Sequence, residues 1–148
     1  MSSAPASALD DLALQSVFLP LESGQVAWPA TGGALFMGAR AGRALHARPW
    51  PGLACEQAWK PDADALQRAG FGVEETNGRY PLVLLLPPRQ REHARARFAT
   101  ALDRLAPGGV LIACMPNREG ARSGEADLAR LAGPLRVLTK HHCRVFWT

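Results

Sequence analysis

The sequence predicts an α/β fold in which a mostly parallel sheet carries helices on both faces. Short apolar runs alternate along the chain with segments that have helix-capping residues, and the connections between them are only a few residues long. The strongest run, residues 82–86, is continuously apolar, as in a parallel strand that is buried on both faces. With 148 residues, 47% of them hydrophobic, the chain has the size and composition of one globular domain.

The first half of the chain supplies three predicted strands. Residues 1–6 are small and polar and are expected to form a flexible tail, which leaves one domain over residues 7–148. Ser7 is expected to cap a helix that runs to Phe18. The strands are predicted over residues 34–38, 53–56 and 73–75, with a weak helical turn over residues 39–46 and a helix over residues 61–69.

The second half continues the alternation and ends in a hairpin. A strand over residues 82–86, a long helix over residues 89–105, a strand over residues 110–115 and a helix over residues 123–131 with Ser123 as its cap are predicted in this order. Two final strands are predicted over residues 135–139 and 143–147. Because the join between them is short, they are expected to pair antiparallel. The whole pattern is Rossmann-like.

A doubly wound sheet binds its ligand at the carboxyl ends of its strands, near the point where the strand order reverses. After the first strand the sequence has Gly38-Ala39-Arg40-Ala41-Gly42, which is not a G-x-G-x-x-G loop, and Arg40 stands where backbone would approach a ligand. Glu56 ends the second strand, where an acidic residue would hold ribose hydroxyls. Gly38, Gly42 and Glu56 are therefore vestigial candidates for cofactor binding.

The strand over residues 82–86 leads into Leu86-Pro87-Pro88-Arg89. Enzymes that methylate exocyclic amines carry Asn or Asp before such a proline pair and an aromatic residue after it. The polar side chain accepts a hydrogen bond from the amine, and the ring stacks on the base. Leucine cannot accept a hydrogen bond, and one arginine cannot replace both functions. The sequence therefore predicts a broken methyl-transfer site with no catalytic residue.

Residues 82–148 resemble the N-terminal domain of the bacterial 16S ribosomal RNA guanine-N2 methyltransferases, which contain two tandem class I methyltransferase-like domains. The resemblance is most specific in Asn117-Arg118-Glu119-Gly120-Ala121-Arg122-Ser123-Gly124-Glu125, which is similar to the N-R-x-G-x-R-S-x-E segment of that family. A strand precedes the segment, a helix follows it, and a Cys begins the last strand, Cys143-Arg144-Val145-Phe146-Trp147. Residues 19–80 resemble the family only in the rhythm of their strands.

The resemblance implies a class I methyltransferase fold and a division of labour. The family's C-terminal domain binds S-adenosylmethionine and carries Asn-Pro-Pro-Phe, whereas its N-terminal domain has lost the cofactor site, helps to fold the catalytic half and positions the RNA. We accordingly expect no cofactor in this chain, and ribosomal RNA and a catalytic methyltransferase domain, in cis or in trans, as its partners. That catalytic domain is expected to lie outside the chain.

The basic residues suggest where RNA could be held. The net charge is +4, and 15 of the 17 basic residues are Arg, which pairs well with phosphate but is also abundant in proteins from GC-rich genomes. Asn117, Arg118 and Arg122 are candidates for contact with RNA or a neighbouring domain. The alternative is that Asn117 caps local backbone and the arginines pair with Glu119 or Glu125. Arg89 and Arg91, at the start of the long helix, either follow phosphates or belong to a solvated helix face.

Other side chains point to structural roles. Trp28, Trp50 and Trp59 lie in proline-rich loops, where they either anchor the loop or stack on a base, and anchoring is favoured. His141, His142 and Cys143 are adjacent and cannot easily converge on one metal ion, so no metal site is expected. Three cysteines without C-x-x-C spacing fit free thiols in the cytoplasm, and no apolar run is long enough to cross a membrane.

Two other functions remain open from the sequence. One is an active small S-adenosylmethionine-dependent methyltransferase with an irregular glycine loop, which would need Gly38, Gly42 and Glu56 around one pocket. The other is an interaction domain that pairs with a separate catalytic subunit through an exposed apolar face.

Overall fold

The computed structural model describes residues 11–75 and 77–148, in which six strands form one sheet of order β2-β1-β3-β4-β6-β5. The strands are β1 (Ala34–Met37), β2 (Leu53–Glu56), β3 (Tyr80–Leu85), β4 (Leu105–Pro116), β5 (Arg136–Lys140) and β6 (Cys143–Trp147). Strand β1 is parallel to β2 and β3, and β3 is parallel to β4. Strand β6 is antiparallel to β4 and β5. The predicted α/β fold, a mostly parallel sheet with an antiparallel C-terminal hairpin, is confirmed.

The described helices lie on both faces of the sheet. They are α1 (Leu12–Val17), α2 (Leu19–Glu22), α3 (Arg43–His46), α4 (Lys60–Arg68), α5 (Arg91–Asp103) and α6 (Ala121–Ala132), with a 3-10 turn over Asn117–Glu119 before α6. None of them has the length and apolar character that a membrane-spanning helix requires.

The sheet separates two apolar cores, and β1 contributes to both. Ala34 and Phe36 face the core that contains residues of α1, α3 and α4. Leu35 and Met37 face the core formed with α5 and α6. Since successive side chains of a strand point to opposite faces, a strand covered on both sides must be apolar throughout. This is why the continuous apolar run of β3 predicted a buried parallel strand, and β1 is apolar throughout for the same reason.

One predicted helix start, Ser7, lies outside the described residues, and the other, Ser123, is wrong. The described helix α1 begins after Asp11, which has non-helical backbone angles and whose side chain accepts a hydrogen bond from the Leu14 N–H at 3.1 Å. Ser123 lies inside α6 and caps nothing. That helix begins after Gly120, whose φ of 89° lets the chain turn from the 3-10 segment into the helix.

The predicted strand over residues 73–75 is reduced to one parallel bridge between Cys55 and Val73. Glu74 and Glu75 are exposed and offer no apolar side chain to either core, so pairing stops after a single residue. In contrast, the final hairpin forms as predicted. His141 and His142 make its two-residue turn with φ angles of 57° and 59°, and the turn brings Cys143 opposite Pro116 at the end of β4.

Candidate functional site

A cleft of about 1080 Å³ lies at the carboxyl edge of the sheet. The segments that follow β1, β3 and β4 line it, together with the start of α1, the first turn of α4 and the β5–β6 turn. Doubly wound sheets bind ligands at this edge, beside the strand where the order reverses, which here is β1. The cleft is therefore the candidate functional site.

An ion pair between Arg40 and Asp11 occupies one side of the cleft. Arg40 Nε donates to Asp11 Oδ2 at 2.6 Å and Arg40 Nη2 donates to Asp11 Oδ1 at 2.9 Å. Burial by itself lowers the pKa of Arg40, but the hydrogen bond and the charge of Asp11 outweigh it, so the pKa is raised and the guanidinium stays charged. Since Asp11 also caps α1, the pair fastens that helix to the loop after β1.

The two candidate glycines are packed against the chain itself. Gly38 has a φ of 71°, and a Cβ placed on it would lie 2.5 Å from the carbonyl oxygen of Leu86. A Cβ on Gly42 would lie 2.5 Å from Leu14 Cδ2 of α1. Neither glycine lines the cleft. The glycines therefore serve close contacts of the loop with β3 and α1.

Glu56 faces away from the cleft, toward α5. Its Oε1 accepts from Arg97 Nη2 at 2.9 Å, and its Oε2 lies 3.5 Å from Arg104 Nη1. The carboxylate is only 18% exposed. In this structure Gly38, Gly42 and Glu56 do not surround one pocket, and they supply neither a glycine-rich cradle nor a ribose-binding carboxylate on the cleft. The residues present thus do not fit S-adenosylmethionine in the way a doubly wound sheet usually holds such a ligand.

The segment after β3 presents apolar side chains to the cleft. Leu86 and Pro87 line the cleft, and Leu86 is buried. The Leu86 N–H donates to the carbonyl of Met37 at 3.1 Å, which holds the end of β3 against β1. Arg89 is exposed and has no hydrogen-bond or ion-pair partner among the described residues. At the position of the missing Asn or Asp, this edge offers only an alkyl side chain.

The segment after β4 places two candidates directly on the cleft. Asn117 and Arg118 line it and are exposed, and the backbone N–H of Asn117 donates to the carbonyl of His142 at 2.9 Å. Arg122 is exposed in the first turn of α6. The alternative ion pairs do not form: in the described part of the chain Arg118 and Arg122 have no carboxylate partner, and Glu125 is bonded to Arg144.

Arg91 has a structural contact that the sequence did not reveal. Its Nε and Nη2 donate to the two carboxylate oxygens of Asp127 at 3.0 and 2.9 Å, and Arg95 approaches the same carboxylate at 3.8 Å. The Asp127 side chain is only 3% exposed, and the hydrogen bond from Arg91 lowers its pKa. This pair joins α5 to α6. Contact of Arg91 with RNA stays a prediction, and it would compete with Asp127.

The tryptophans divide into two kinds. Trp28 Nε1 donates to the carbonyl of Pro51 at 3.0 Å, and Trp50 Nε1 donates to the carbonyl of Leu45 at 3.1 Å, as expected for loop anchors. Trp50 also stacks on Phe18. Trp59 is different: it is 64% exposed and lines the cleft. Sequence analysis did not separate Trp59 from the other two, because all three occur in similar proline-rich segments.

The cleft also contains residues that the sequence did not single out as candidates for a site. Asp62 lines it beside Trp59, and the pKa of Asp62 is raised, mainly because burial removes water and in spite of the nearby Arg40. Cys114 and Cys143 line its floor as free thiols. The interaction between the two thiols raises the pKa of Cys114, and the same interaction lowers that of Cys143. No group of His, Cys, Asp and Glu within residues 11–75 and 77–148 could hold a metal ion.

The fold is similar to that of solved methyltransferases. A 16S rRNA N2 methyltransferase from T. thermophilus, in complex with AdoMet and guanosine, matches with a TM-score of 0.69 and 18% identity, over 91% of this chain and 37% of that one. A proposed methyltransferase from Pseudomonas syringae matches with a TM-score of 0.68 and 18% identity, over 93% of this chain and 96% of that one. A methyltransferase from Pyrococcus furiosus gives 0.63 and 13%, over 90% and 80% of the two chains.

These likenesses establish a Rossmann-like class I methyltransferase fold. No protein-family model and no curated protein matches the chain. Because the identities are low, the similarity concerns the fold and not the activity. The chain spans 37% of the length of the T. thermophilus enzyme.

Proposed function

We propose that this chain is a non-catalytic methyltransferase-like domain that positions ribosomal RNA for a catalytic methyltransferase domain, joined to it or separate. S-adenosylmethionine is bound by that partner domain. The observation that carries the proposal is the end of β3, where buried Leu86 and exposed Arg89 flank the two prolines. No hydrogen-bond acceptor side chain and no aromatic ring are present there to hold and cover a target amine.

The occupied cofactor positions support the same conclusion. A nucleoside on the loop after β1 would have to separate Arg40 from Asp11, and a ribose would have to compete with Arg97 and Arg104 for Glu56. Breaking such a partly buried pair leaves a charge without its partner, and this costs free energy that ligand binding must supply. The chain thus stabilises its own unliganded arrangement.

Three unpaired arginines support the contact with RNA. Arg89, Arg118 and Arg122 are exposed on segments that follow β3 and β4, at the edge where the cleft opens. None of them has a carboxylate partner within the described residues. A guanidinium group that is not engaged in the protein is free to pair bidentately with phosphate, and several on one edge follow a nucleic-acid backbone.

Calorimetric titration of the purified chain with S-adenosylmethionine tests the absence of cofactor binding. We expect no saturable heat, in the wild-type chain or in a Glu56→Gln variant. Micromolar binding that the Glu56→Gln change weakens would overturn this part of the proposal, because it would show that Glu56 leaves its arginines to hold the ribose.

Fluorescence anisotropy with a labelled 16S rRNA fragment tests the RNA contact. We expect the affinity for RNA to fall steeply as the salt concentration rises. In a triple Arg89→Ala, Arg118→Ala, Arg122→Ala variant, the slope of log affinity against log salt concentration should be less steep by about two. This is because each lost contact with a single-strand phosphate reduces the slope by about 0.7. Arg68→Ala is the matched control, since Arg68 is exposed at the opposite end of α4 from the cleft. Equal slopes in the triple variant and the wild type would contradict the proposal.

A small, active methyltransferase is the alternative with structural support. The match covers 96% of the solved P. syringae chain, which is described as a methyltransferase, and a large cleft lies at the usual ligand-binding edge of the present fold. The calorimetric titration separates the two proposals, because an active enzyme must bind its methyl donor.

A further inference from the structure

Trp59 is a preorganised aromatic surface at the mouth of the cleft. Its backbone N–H donates to Gln57 Oε1 at 2.9 Å, while Gln57 Nε2 donates to the carbonyl of Ala39 at 2.8 Å. The side chain of Gln57 thereby ties the start of α4 to the loop after β1 and fixes the position of Trp59. The indole itself is 64% exposed and has no hydrogen-bond partner in the described part of the chain. A large aromatic held in place but left open to solvent is suited to stacking on a ligand.

Asp62 supplies an acceptor one helical turn from Trp59. Trp59 is the N-cap residue of α4 and Asp62 lies in the first turn of that helix, and both side chains line the cleft. The Asp62 carboxylate has no hydrogen bond or ion pair among the described residues, and Arg40, the cation near it, is already bonded to both oxygens of Asp11. The carboxylate is partly removed from water and accepts no hydrogen bond from the protein, so a ligand that donates N–H groups to it would satisfy it.

Arginines beside the cleft can hold the phosphate of a nucleotide. Arg40 is neutralised by Asp11, but Arg118 lines the cleft beside Glu119 without a carboxylate partner among the described residues, and Arg89 and Arg122 are exposed on the segments that follow β3 and β4. The cleft thus combines an aromatic surface and a carboxylate with a guanidinium group that is free to bind phosphate. This is the arrangement in which a base is recognised by its ring and its edge while its backbone stays on a basic rim.

We propose that the cleft binds one unstacked nucleobase of single-stranded RNA, with its face on Trp59 and its N–H edge on Asp62. This inference rests on the proposed RNA-holding function and names the part of the RNA that the site takes. A carboxylate only accepts hydrogen bonds, so a base with two adjacent donors, an imino and an amino group, fits best. Guanine has this edge, hypoxanthine lacks the amino group, and adenine places an acceptor beside its amino group.

Two sets of probes test the proposal on the full chain. Tryptophan fluorescence is titrated with guanosine, inosine and adenosine monophosphates. Anisotropy is measured with a labelled uridine-rich RNA that contains a single guanine or, in a matched strand, inosine at the same place. We expect guanine to bind more tightly than hypoxanthine or adenine. Trp59→Ala should weaken guanine binding about tenfold, since stacking on one aromatic contributes about that much, and Trp59→Phe should weaken it less.

Asp62→Asn should remove the preference for guanine over inosine, because an amide cannot accept from both donors. Asp64→Asn is the matched control on the same helix: Asp64 pairs with exposed Lys60 and does not line the cleft. Both cleft residues are at least partly exposed, so the variants are expected to fold, and thermal melting verifies this.

The outcomes separate this inference from the proposed function. Salt-sensitive RNA binding that the Trp59 and Asp62 variants leave unchanged would overturn the base site and leave the RNA-holding function standing. Guanosine monophosphate binding that depends on Trp59 and Asp62, without any binding of RNA, would support the base site and contradict that function. Tetramethylammonium that quenches Trp59 as strongly as guanosine monophosphate would identify a cation site and overturn the inference, as would no binding of any probe.

Discussion

Gly38→Ala should destabilise the fold far more than a substitution at an ordinary loop glycine. The residue combines a φ of 71° with a carbonyl oxygen, that of Leu86, only 2.5 Å from where a Cβ would be. That oxygen belongs to the backbone at the end of β3, which is held to Met37 by a hydrogen bond of 3.1 Å. The obstacle is therefore not a side chain that can rotate away.

The expected magnitude has two parts. Holding a non-glycine residue in left-handed backbone costs about 1–2 kcal/mol. Overpacking against a fixed part of the core costs about 1–3 kcal/mol more. The sum of about 2–5 kcal/mol corresponds to a fall in Tm of roughly 6–16 °C for a domain of this size. Gly42→Ala should cost only about 1–2 kcal/mol, because its neighbour, Leu14 Cδ2, is the end of a side chain.

Urea denaturation and thermal melting of the variants measure these differences. Gly24→Ala is the control, because Gly24 has a φ of 79° but no atom within 4 Å of its Cβ position, so it reports the backbone cost alone. If Gly38→Ala were no less stable than Gly24→Ala, the close contact with Leu86 would not exist in solution. Gly38 would then again be available as a ligand-binding glycine.

Two further predictions follow from the pKa shifts. The pKa of Asp127 is lowered in the folded state, chiefly by Arg91, so the carboxylate stabilises the fold at neutral pH and this contribution is lost as the pH falls through the lowered pKa. In an Asp127→Asn variant, the free energy of unfolding measured by urea titration should therefore fall less steeply with decreasing pH than in the wild type. An unchanged dependence at acid pH would contradict the ion pair between Arg91 and Asp127. Burial raises the pKa of Cys55 to about 11, whereas the interaction with Cys114 lowers the pKa of Cys143, which lines the cleft. At pH 8 mass spectrometry should find iodoacetamide first on Cys143, and earlier labelling of Cys55 would refute the assignment.

The fold could be predicted where a local pattern matches a local cause. The continuous apolar run of β3 predicted a strand covered on both faces, and residues 80–85 form one. The proline at residue 61 and the glycine at residue 70 bounded a helix that is observed over Lys60–Arg68. Both signals depend on backbone sterics or burial within one element, and these act wherever the element lies in the fold.

The site could be predicted only in part, because its contacts join residues that are distant in sequence. Arg40 and Asp11 are in different elements, as are Arg97 and Glu56, and no spacing rule relates them. Glu56 was a candidate for cofactor binding only because of its position at the end of β2. The fold places two helix arginines over that carboxylate, and this partner choice is set by tertiary packing.

The proposed function requires that a methyltransferase-like fold persists without its cofactor site. The two cores lie on opposite faces of the sheet, and most of their buried side chains lie away from the cleft, with Leu86, Cys114 and Cys143 among the exceptions. Substitutions at the carboxyl edge of the sheet, such as an arginine in the glycine loop or a leucine before the prolines, are therefore tolerated if the chain itself fills the space and pairs the charges. Arg40 is paired with Asp11, and Leu14 packs on Gly42, so the first described helix takes over positions beside the loop. Under the proposed function, restoring one ligand-binding residue should not restore cofactor binding, because α1 would have to move as well.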